Sequence, residues 1–546
     1  MDGQSKTTFH GETNGYEVVE TLPDDSVFIA GGGPVGLTLA TSLSYFGIKS
    51  VVLERNKSTT RWPKMDLTNA RSMEFFRRLG LADSLREQGV PSHLPYTVRM
   101  CSGLGGHTIS QWDLPGVDQW RKIISEQNDG TQPLESWQRL SQIVFEKWLK
   151  EICDKNPLVD LRFGWKVESA EETDEGVLAT ATAKSGKKHV FKARYGVACD
   201  GASSRVRCSL GIPLIGGPVQ GGHVDNAYSL APDVDSDKMG SEESVYQTVG
   251  GNGKPFKIGI DEVLVRSTYR ANLVVARHFM GPKRRIFLAG DAAYQNIPVG
   301  GYGMNMGLAD AFNIAAKLAG VMQGYGGRHL LESDNGKYLD DDSDQGREIR
   351  RKIHEHYQKY DGENKDIGIE MGYTYESSVI LPEDPSTAPE FIPRKYVLST
   401  WPGHRALHVF LTDGTPIFDL YGTHYSLVDF TGGADNGLDL LLVAAEERAV
   451  PLKHIGLKGE TKAREIWERD LVLVRPDGHV SWRGNSISSK SDAVNIIEVA
   501  VGIKGNGYGL PVDTDDISDL KPFTGTEKLE VQYPDFKLEK KGAFQK

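Results

Sequence analysis

The sequence predicts an α/β protein built on a doubly wound, Rossmann-like parallel sheet, with a second, smaller α/β domain behind it. Three segments predict the first domain, because each reads as a short apolar strand that runs into a glycine-rich turn: residues 26–55, 195–207 and 286–320. In the first and third segments an apolar helix follows the turn. Residues 391–507 alternate short apolar runs with polar turns, which predicts the second domain.

The composition of the chain limits its partners. Its 546 residues carry a formal net charge of -11, so it would repel nucleic acid and anionic membrane surfaces, and neither is expected as a partner. No apolar run reaches the roughly 18–20 residues that a membrane-spanning helix needs. Residues 1–24 lack the basic start and apolar core of a signal peptide. We therefore expect a disordered leader there and a cytoplasmic protein.

The cysteines give no sign of a cross-linked or metal-binding fold. The chain has four of them, and they are scattered without any C-x-x-C pair: Cys101, Cys153, Cys199 and Cys208. In a chain of this length that spacing predicts unpaired thiols in a reducing compartment and no metal site.

The first glycine turn has the pattern of a dinucleotide-binding site. Gly31, Gly33 and Gly36 occupy the G-x-G-x-x-G positions between a strand and a helix. Gly31 permits the tight turn, Gly33 lets the backbone approach a pyrophosphate, and Gly36 lets the helix pack on the strand. Glu54 ends the next strand, where its carboxylate can accept hydrogen bonds from the adenosine ribose and disfavours a 2′-phosphate. The unit therefore predicts a bound dinucleotide.

Two further turns follow apolar strands. Asp200-Gly201 is by itself as easily explained as an ordinary turn. Asp291, in the turn after the third strand, can accept a hydrogen bond from a ribityl chain, and the glycines that follow leave the backbone free to approach a flat ring. A helix beginning near Met304 would direct its positive end at the N1–C2=O edge of a flavin, where negative charge develops on reduction. This turn favours a flavin as part of the dinucleotide.

The remaining elements are predicted from periodicity and composition. Helices are expected at 70–81 and 139–153, strands and loops at 95–130, several antiparallel strands within 158–199, and mostly loop at 210–260. Residues 331–390 read as a charged helix and a Pro-rich linker, and 508–546 as a polar tail. Within the second domain the apolar runs at 407–412, 440–445 and 471–478 are expected to be strands.

Taken together, these motifs resemble the FAD-dependent aromatic-ring hydroxylases, which include p-hydroxybenzoate hydroxylase and phenol hydroxylase. GGGPVG with Glu54, CDG at 199–201 and GDAAYQNIPVGGYGMN at 290–305 stand in the family's order. The segment WPGHRALHVFL…DGTPIFDLYG at 401–422 resembles the thioredoxin-like C-terminal domain of the phenol hydroxylase branch. Because that segment has no C-x-x-C, the resemblance implies a structural or oligomeric role for the domain and leaves a homodimer open.

The resemblance implies a set of FAD-binding residues and no assigned catalytic residue. Gly31, Gly33, Gly36, Glu54 and Arg55 would hold the ADP half, with Lys64 near the pyrophosphate. Arg139 and Gln142 match a polar pair near the flavin phosphate and ring. Asp200 and Gly201 match a motif that touches FAD and is linked with NAD(P)H use. Asp291 would bind the ribityl chain, and Pro298, Gly303, Met304 and Asn305 would line the isoalloxazine.

The resemblance also implies a reaction. NAD(P)H binds transiently and reduces FAD, O2 adds to form a flavin C4a-hydroperoxide, and its distal hydroxyl passes to a small aromatic substrate, phenolic or polyketide-like. Two alternatives remain open at this point. The same oxygenated flavin could carry out epoxidation or Baeyer–Villiger insertion, or the chain could be a catalytically impaired FAD-binding scaffold.

The scaffold alternative comes from the interval between two motifs. Asp200 and Asp291 are only 91 residues apart. In the family this interval holds most of an antiparallel sheet that covers the substrate, so the resemblance implies a longer one. We therefore expect a shortened substrate sheet, inserted around 212–280, and an altered substrate pocket.

Overall fold

The computed structural model describes residues 18–62, 64–218, 239–251, 254–263, 266, 272–296, 300–332, 367–433 and 436–506. Several predictions fall outside these residues: most of the leader, Pro298, the charged segment from 333 to 366, the polar tail, and part of the interval at 212–280. The structure contains the following strands and helices, labelled in chain order.

The strands are β1 (Val18–Thr21), β2 (Ser26–Ala30), β3 (Lys49–Glu54), β4 (Leu67–Thr68), β5 (Tyr96–Cys101), β6 (Thr108–Leu114), β7 (Gln138–Arg139), β8 (Val159–Phe163), β9 (Lys166–Glu172), β10 (Val177–Thr182), β11 (Lys188–Ala193), β12 (Tyr195–Ala198), β13 (Leu214–Pro218), β14 (Asn272–Ala276), β15 (Ile286–Leu288), β16 (Tyr294–Gln295), β17 (Tyr425–Asp429), β18 (Leu452–Gly456), β19 (Leu471–Val474) and β20 (Val480–Gly484). The α-helices are α1 (Pro34–Tyr45), α2 (Ala70–Arg78), α3 (Ala82–Gln88), α4 (Val117–Gln127), α5 (Gln142–Lys155), α6 (Arg205–Ser209), α7 (Ser241–Gly250), α8 (Tyr302–Met322), α9 (Ile367–Met371), α10 (Leu438–Glu447), α11 (Thr461–Trp467) and α12 (Lys490–Ala500).

The central sheet has five parallel strands in the order β15-β12-β2-β3-β8. Two of its inner strands, β2 and β12, are buried at every position, as the continuous apolar runs predict. One face packs against helices, chiefly α1, α5 and α8, through Leu37, Phe145 and Phe312. Sequential strand–turn–helix units therefore build the predicted parallel core.

The other face of this sheet corrects the expectation of a doubly wound fold. It packs not on helices but on the sheet β1-β11-β10-β9, and the contact is formed by Phe28 and Val51 against Ala179 and Phe191. Within the described residues, helices thus cover one face only. The cause is the alternation in β10 and β11, which places apolar side chains on one side of each strand and so needs a single partner surface.

The prediction of several antiparallel strands within 158–199 is confirmed for β9, β10 and β11, and β12 confirms the separate prediction of a buried strand that runs into a glycine turn at 195–207. β8 and β12 pair in parallel with the central sheet. β12 is buried on both faces, so it has no polar alternation that could have marked one side as solvent-facing. The helix α4 lies in the segment expected to hold only strands and loops.

Above the carboxyl ends of the central strands lies a small layer of antiparallel structure. β13, β14 and β16 form a three-stranded sheet, and β5 pairs with β6 as a separate hairpin. The helix α7 contacts the hairpin tip, where the N–H of Leu104 donates to the carbonyl of Val249 at 2.7 Å.

The second domain is a four-stranded sheet in the order β18-β17-β19-β20, with β17 and β18 parallel and the other pairs antiparallel. Residues 440–445, expected as a strand, lie in α10, because Leu438, Leu441 and Ala445 recur at helical spacing and turn to one buried face. Residues 407–412 are extended but form only an isolated bridge rather than a strand. The strand prediction at 471–478 is confirmed by β19.

A buried ion pair joins the two domains. Arg405, fully buried, donates from Nε to Glu74 Oε2 of α2 at 2.9 Å, and a second bond joins Arg405 Nη2 to Glu74 Oε1. Arg71, also on α2, donates to the backbone carbonyl of Asp477 at 2.7 Å. The second domain is therefore fixed against the helix that follows the first two strands of the parallel sheet.

Candidate functional site

The first glycine turn is tightly packed on two sides and open on the third. A Cβ atom at Gly31, whose φ is +103°, would lie 2.2 Å from the carbonyl oxygen of Cys199, and one at Gly36 would lie 1.9 Å from the carbonyl oxygen of Gly31. A Cβ atom at Gly33 would meet nothing within 4 Å. Gly33 therefore faces open space at the N-terminus of α1, where no side chain caps the helix. The N–H groups of this first turn can bind a phosphate.

Glu54 lies at the end of β3, directly beside this turn. Its Oε2 accepts the N–H of Gly32 at 2.8 Å, and its Oε1 accepts the backbone N–H of Asn56 at 2.8 Å and the side-chain amide at 2.6 Å. A carboxylate offers about four lone-pair positions, and these three hydrogen bonds leave one of them free for a further donor, such as a ribose hydroxyl. Sequence reasoning missed Asn56, which holds Glu54 in place. Arg55 is exposed.

The second turn brings Asp200 next to the first one, because β12 is the neighbour of β2. Asp200 Oδ2 accepts the N–H groups of Arg205 at 2.8 Å and Val206 at 3.3 Å. Its Oδ1 is buried and has no hydrogen-bond partner among the described residues. Burial raises the pKa of Asp200, while these N–H groups oppose the rise. Gly201 adopts a φ of +81° and faces open space.

The third turn presents Asp291 to the same cleft. Gly290 begins the turn with a φ of +58°, and Asp291 is accessible at its tip. Desolvation by the surrounding cleft raises the pKa of Asp291, and the positive charge of Lys64 partly offsets that rise. Lys64 is itself exposed and lies near enough to act on this carboxylate.

The N-terminus of α8 follows, and Asn305 fixes it. The Nδ2 group of Asn305 donates to the carbonyls of Leu67 at 3.0 Å and Gly301 at 2.8 Å. Its Oδ1 accepts the N–H of Asn69 at 3.0 Å and the hydroxyl of Ser72 at 2.7 Å. Because these four bonds use its donors and acceptor lone pairs, Asn305 positions the helix end rather than offering its side chain to a ligand. Gly303 and Met304 lie in the first turn of α8, partly exposed.

Arg139 and Gln142 lie beside this helix end, because β7 pairs with β4. Gln142 is buried and donates to Glu146 at 2.7 Å. Arg139 forms an ion pair with Asp66 at 3.0 Å, and its guanidinium lies 4.2 Å from the centroid of the Tyr96 ring. The structure thus brings Arg139 closer to the hairpin β5–β6 than to the glycine turns.

The site fits FAD as the resemblance implies. Open space at Gly33, uncapped N–H groups on α1 and the orphaned Oδ1 of Asp200 are features that a pyrophosphate and a polar chain would complete.

The described residues contain no cluster of three histidine, cysteine, aspartate or glutamate side chains that could hold a metal ion. In that same part of the chain, no helix has the length and apolarity to cross a membrane. All four cysteines are free thiols.

The layer above the cleft is thin and exposes apolar side chains. Leu104 is 67% exposed and Ile109 is 72% exposed in the hairpin, and Leu273 is 48% exposed in β14. Tyr96 stacks on Trp137 with ring centroids 5.6 Å apart, and Trp120 meets Trp137 edge-on at 6.0 Å. These three rings form an aromatic wall beside Arg139.

Comparison with known families matches both parts of the chain. Residues 24–253 and 256–338 match the family described as "FAD binding domain", and residues 399–501 match "Aromatic-ring hydroxylase, C-terminal". The first match alone covers more than half of the 546 residues.

Known proteins with similar sequences are monooxygenases. "FAD-dependent monooxygenase apdD" of Emericella nidulans is 42% identical, with 92% of this chain and 94% of that protein aligned. "Phenol 2-monooxygenase" of Pseudomonas sp. is 25% identical over 89% of this chain and 93% of that protein. The alignment with apdD extends over 586 residues, more than this chain contains, so that relative has internal segments without a counterpart here.

Solved structures are similar over nearly their whole length. RebC soaked with chromopyrrolic acid, with bound 7-carboxy-K252c, superposes with a TM-score of 0.68 at 29% identity, covering 87% of this chain and 99% of that one. The flavin-dependent monooxygenase PieE, in complex with FAD and substrate, gives a TM-score of 0.69 at 25% identity, covering 88% and 99%. With the two family matches, these likenesses show that the chain belongs to the FAD-binding aromatic-ring hydroxylases and is an FAD-dependent monooxygenase.

Proposed function

We propose that this monooxygenase uses NAD(P)H and O2 to hydroxylate a phenolic or polyketide-like aromatic of secondary metabolism. The names of the relatives support an aromatic substrate, since one acts on phenol. When bound, FAD supplies hydride acceptance and oxygen activation. The protein's own task is to hold FAD, keep water from the reacting atoms and position the ring of the substrate.

The observation that carries the proposal is the path from the helix end to the aromatic wall. A Cβ atom at Gly301 would lie 3.5 Å from Leu67, and Leu67 pairs with Arg139 across β4 and β7. Arg139 lies against Tyr96, and Tyr96 stacks on Trp137. The N-terminus of α8, where the flavin ring would lie, is thus separated from an aromatic surface by a single pair of strands. A flat, electron-rich ring suits that surface.

The proposed FAD contacts follow the geometry of the three turns. Gly33 and the first turn of α1 would receive the pyrophosphate, and Glu54 the ribose hydroxyls. Asp291 would accept from the ribityl chain. The N-terminal end of α8 would stabilise negative charge on the N1–C2=O edge. The remaining residues proposed to contact FAD are Gly31, Gly36, Arg55, Lys64, Arg139, Gln142, Asp200, Gly201, Pro298, Gly303 and Met304. Asn305 would act by positioning the N-terminus of α8 and not through its side chain.

The proposal is tested by anaerobic reduction and product analysis. The purified FAD-loaded protein is mixed with NADH or NADPH, with and without a panel of phenols and phenolic polyketides, and bleaching of the flavin absorbance is followed. We expect at least one compound to accelerate reduction and, after O2 is admitted, to gain one oxygen atom as a ring hydroxyl. If no compound accelerates reduction and none is oxygenated, the proposed substrate class is wrong.

The same experiment separates the alternative outcomes. Epoxidation and Baeyer–Villiger insertion also add one oxygen atom, so mass alone does not distinguish them from hydroxylation. NMR of the product does, because an arene epoxide loses aromatic signals that a phenol keeps, and Baeyer–Villiger insertion turns a ketone carbonyl into an ester carbonyl.

We further propose that the C-terminal domain is thioredoxin-like. Its elements follow the order β17-α10-β18-α11-β19-β20-α12, and the first two strands are parallel neighbours joined by a helix. The described part of this domain contains no cysteine, so the proposal gives it a structural role rather than a redox role. The ion pair between Arg405 and Glu74 supports this, because it fixes the domain to α2.

A further inference from the structure

A cavity of about 240 Å³ lies between α2 and the C-terminal domain, away from the three glycine turns. Side chains of α2 line one side of it, and residues 418–421 and 477–478 line the other. Its walls include the rings of Tyr45, Phe75 and Phe418. That volume is slightly below the roughly 300 Å³ at which drug-sized ligand pockets begin, so the cavity suits a small molecule.

The charges around this cavity are almost all paired. Six arginines lie in the layer between the domains, and five of them have a carboxylate within salt-bridge distance. The pairs are Arg71–Glu74, Arg405–Glu74, Arg77–Asp419, Arg77–Glu135, Arg86–Glu135 and Arg475–Asp477. Four carboxylates thus serve five guanidinium groups, and the sixth, Arg78, has no salt bridge within the described part of the chain and interacts with Asp477 only at longer range.

Arg78 has no carboxylate partner among the described residues. Its Nη2 donates to the backbone carbonyls of Gly422 at 2.6 Å and Thr423 at 3.4 Å, whereas its Nε is buried without any hydrogen-bond partner there. The hydroxyl of Tyr421 is also buried and unpartnered in this part of the chain, and the Tyr421 ring centroid lies 5.8 Å from Arg78 Cζ. Both side chains line the cavity. Burial lowers the pKa of Arg78, yet an arginine remains charged in a protein.

We propose that this cavity is a second ligand site, which binds a small monoanionic carboxylate with a flat apolar body. The carboxylate would accept from the Arg78 guanidinium and from the Tyr421 hydroxyl once the two side chains turn toward the cavity, because Arg78 Nε and the Tyr421 hydroxyl are buried and unpartnered among the described residues. The aromatic walls would hold the apolar body. Glu74, Asp419 and Asp477 also line the cavity, so a dianion such as phosphate would be repelled more strongly than a monoanion.

The site is tested with benzoate as the probe and the FAD-loaded full-length protein. Binding is measured by calorimetry, and the visible spectrum of the flavin is recorded in parallel. We expect saturable binding that leaves the flavin spectrum unchanged, because no residue that lines the cavity belongs to the three glycine turns. Arg78→Met should weaken it at least tenfold, and Tyr421→Phe, which removes only the hydroxyl, about threefold. Arg99→Met, in the exposed hairpin, should leave it unchanged.

Two results would overturn the site. The first is binding that perturbs the flavin spectrum and is unaffected by Tyr421→Phe, since benzoate would then occupy the aromatic substrate site. The second is no binding to the wild-type protein up to about 10 mM benzoate, well above the ~1 mM Kd expected of so small a ligand. If Arg78→Met does not fold, Tyr421→Phe decides alone, because phenylalanine keeps the ring in place.

Discussion

Tyr294 donates a hydrogen bond to Asp310 Oδ2 at 2.5 Å, and the same oxygen accepts the N–H of Gly290 at 2.9 Å. Asp310, on α8, therefore ties the turn that presents Asp291 to the helix whose N-terminus borders the cleft. Desolvation raises the pKa of Asp310 to about 6, although both hydrogen bonds act to lower it. The sequence analysis did not identify Asp310, because no motif connects it with the turn at 290–295.

Asp310→Asn should change how the stability of the FAD-free protein depends on pH. Between about pH 4 and pH 6 folded Asp310 binds more protons than an unfolded aspartate, so wild-type stability falls as pH rises through this window. Asparagine keeps an oxygen that can accept both hydrogen bonds and does not ionise. We expect equal Tm values near pH 4 and an advantage of about 3 °C for the variant at pH 7.5.

The control for this experiment is Asp24→Asn, at an exposed position. Its Tm should follow the wild type across the whole pH range. A constant Tm difference between Asp310→Asn and the wild type at pH 4 and pH 7.5 would contradict the assignment, because ionisation would then have no part in it.

Gly33→Ala should weaken FAD binding and leave the stability of the FAD-free protein unchanged. The added Cβ atom enters open space, so the stability of the FAD-free protein should not change, but the methyl group occupies the path of the pyrophosphate. We expect FAD affinity to fall about 30-fold, or about 2 kcal/mol, measured by quenching of flavin fluorescence.

Gly36→Ala is the matched comparison. Its Cβ atom would lie 1.9 Å from the carbonyl of Gly31, so it must push the helix from the strand and lower the Tm even without FAD. Unchanged FAD affinity in Gly33→Ala would show that the pyrophosphate does not lie at this helix end.

Glu74→Gln should loosen the joint between the two domains. Glu74 is buried with Arg71 and Arg405, and their charges hold the pKa of its carboxyl below the usual range. Glutamine leaves two buried guanidinium groups without a counter-charge, which should cost about 3 kcal/mol. Limited proteolysis should then cut between 372 and 398 sooner than in the wild type.

The pH dependence of that ion pair has the opposite sign to that of Asp310. Because the folded pKa of Glu74 is depressed, its contribution is present above about pH 4.5 and is lost as pH falls. The Tm difference between wild type and Glu74→Gln should therefore shrink below that pH. Glu376→Gln, at an exposed position, should behave as the wild type.

Local patterns were sufficient to predict the parallel core. Positions 31 and 36 accept almost no residue other than glycine, because a Cβ atom at either position would collide with backbone atoms. The layer on the opposite face could not be predicted in this way, because the alternation in β10 shows that one side is buried but not what covers it. The strand expected at 440–445 failed for a related reason: a short run of leucine and alanine fits a buried helix and a buried strand equally well.

The residues that position the site were harder to predict than those that would touch FAD. Asn56, Ser72 and Asp310 act through hydrogen bonds to Glu54, Asn305 and Tyr294, respectively. Partners such as Ser72 and Asn305, which are 233 residues apart, belong to no common sequence motif. Only the fold brings them together.

Trp137→Leu should weaken binding of the aromatic substrate and leave FAD binding unchanged. Trp137 is partly exposed, stacks on Tyr96 and meets Trp120, so it is the central ring of the aromatic wall. Leucine keeps an apolar surface but loses the ring faces, and stacking with an aromatic ring contributes up to about 1.5 kcal/mol. We expect KM for the best phenol to rise about tenfold, with kcat and FAD content unchanged.

The control is Trp482→Leu, at a partly buried tryptophan of the C-terminal domain, which should leave KM unchanged. A normal KM in Trp137→Leu would mean that the substrate binds elsewhere along the cleft, and loss of FAD would mean that the wall supports the cofactor instead.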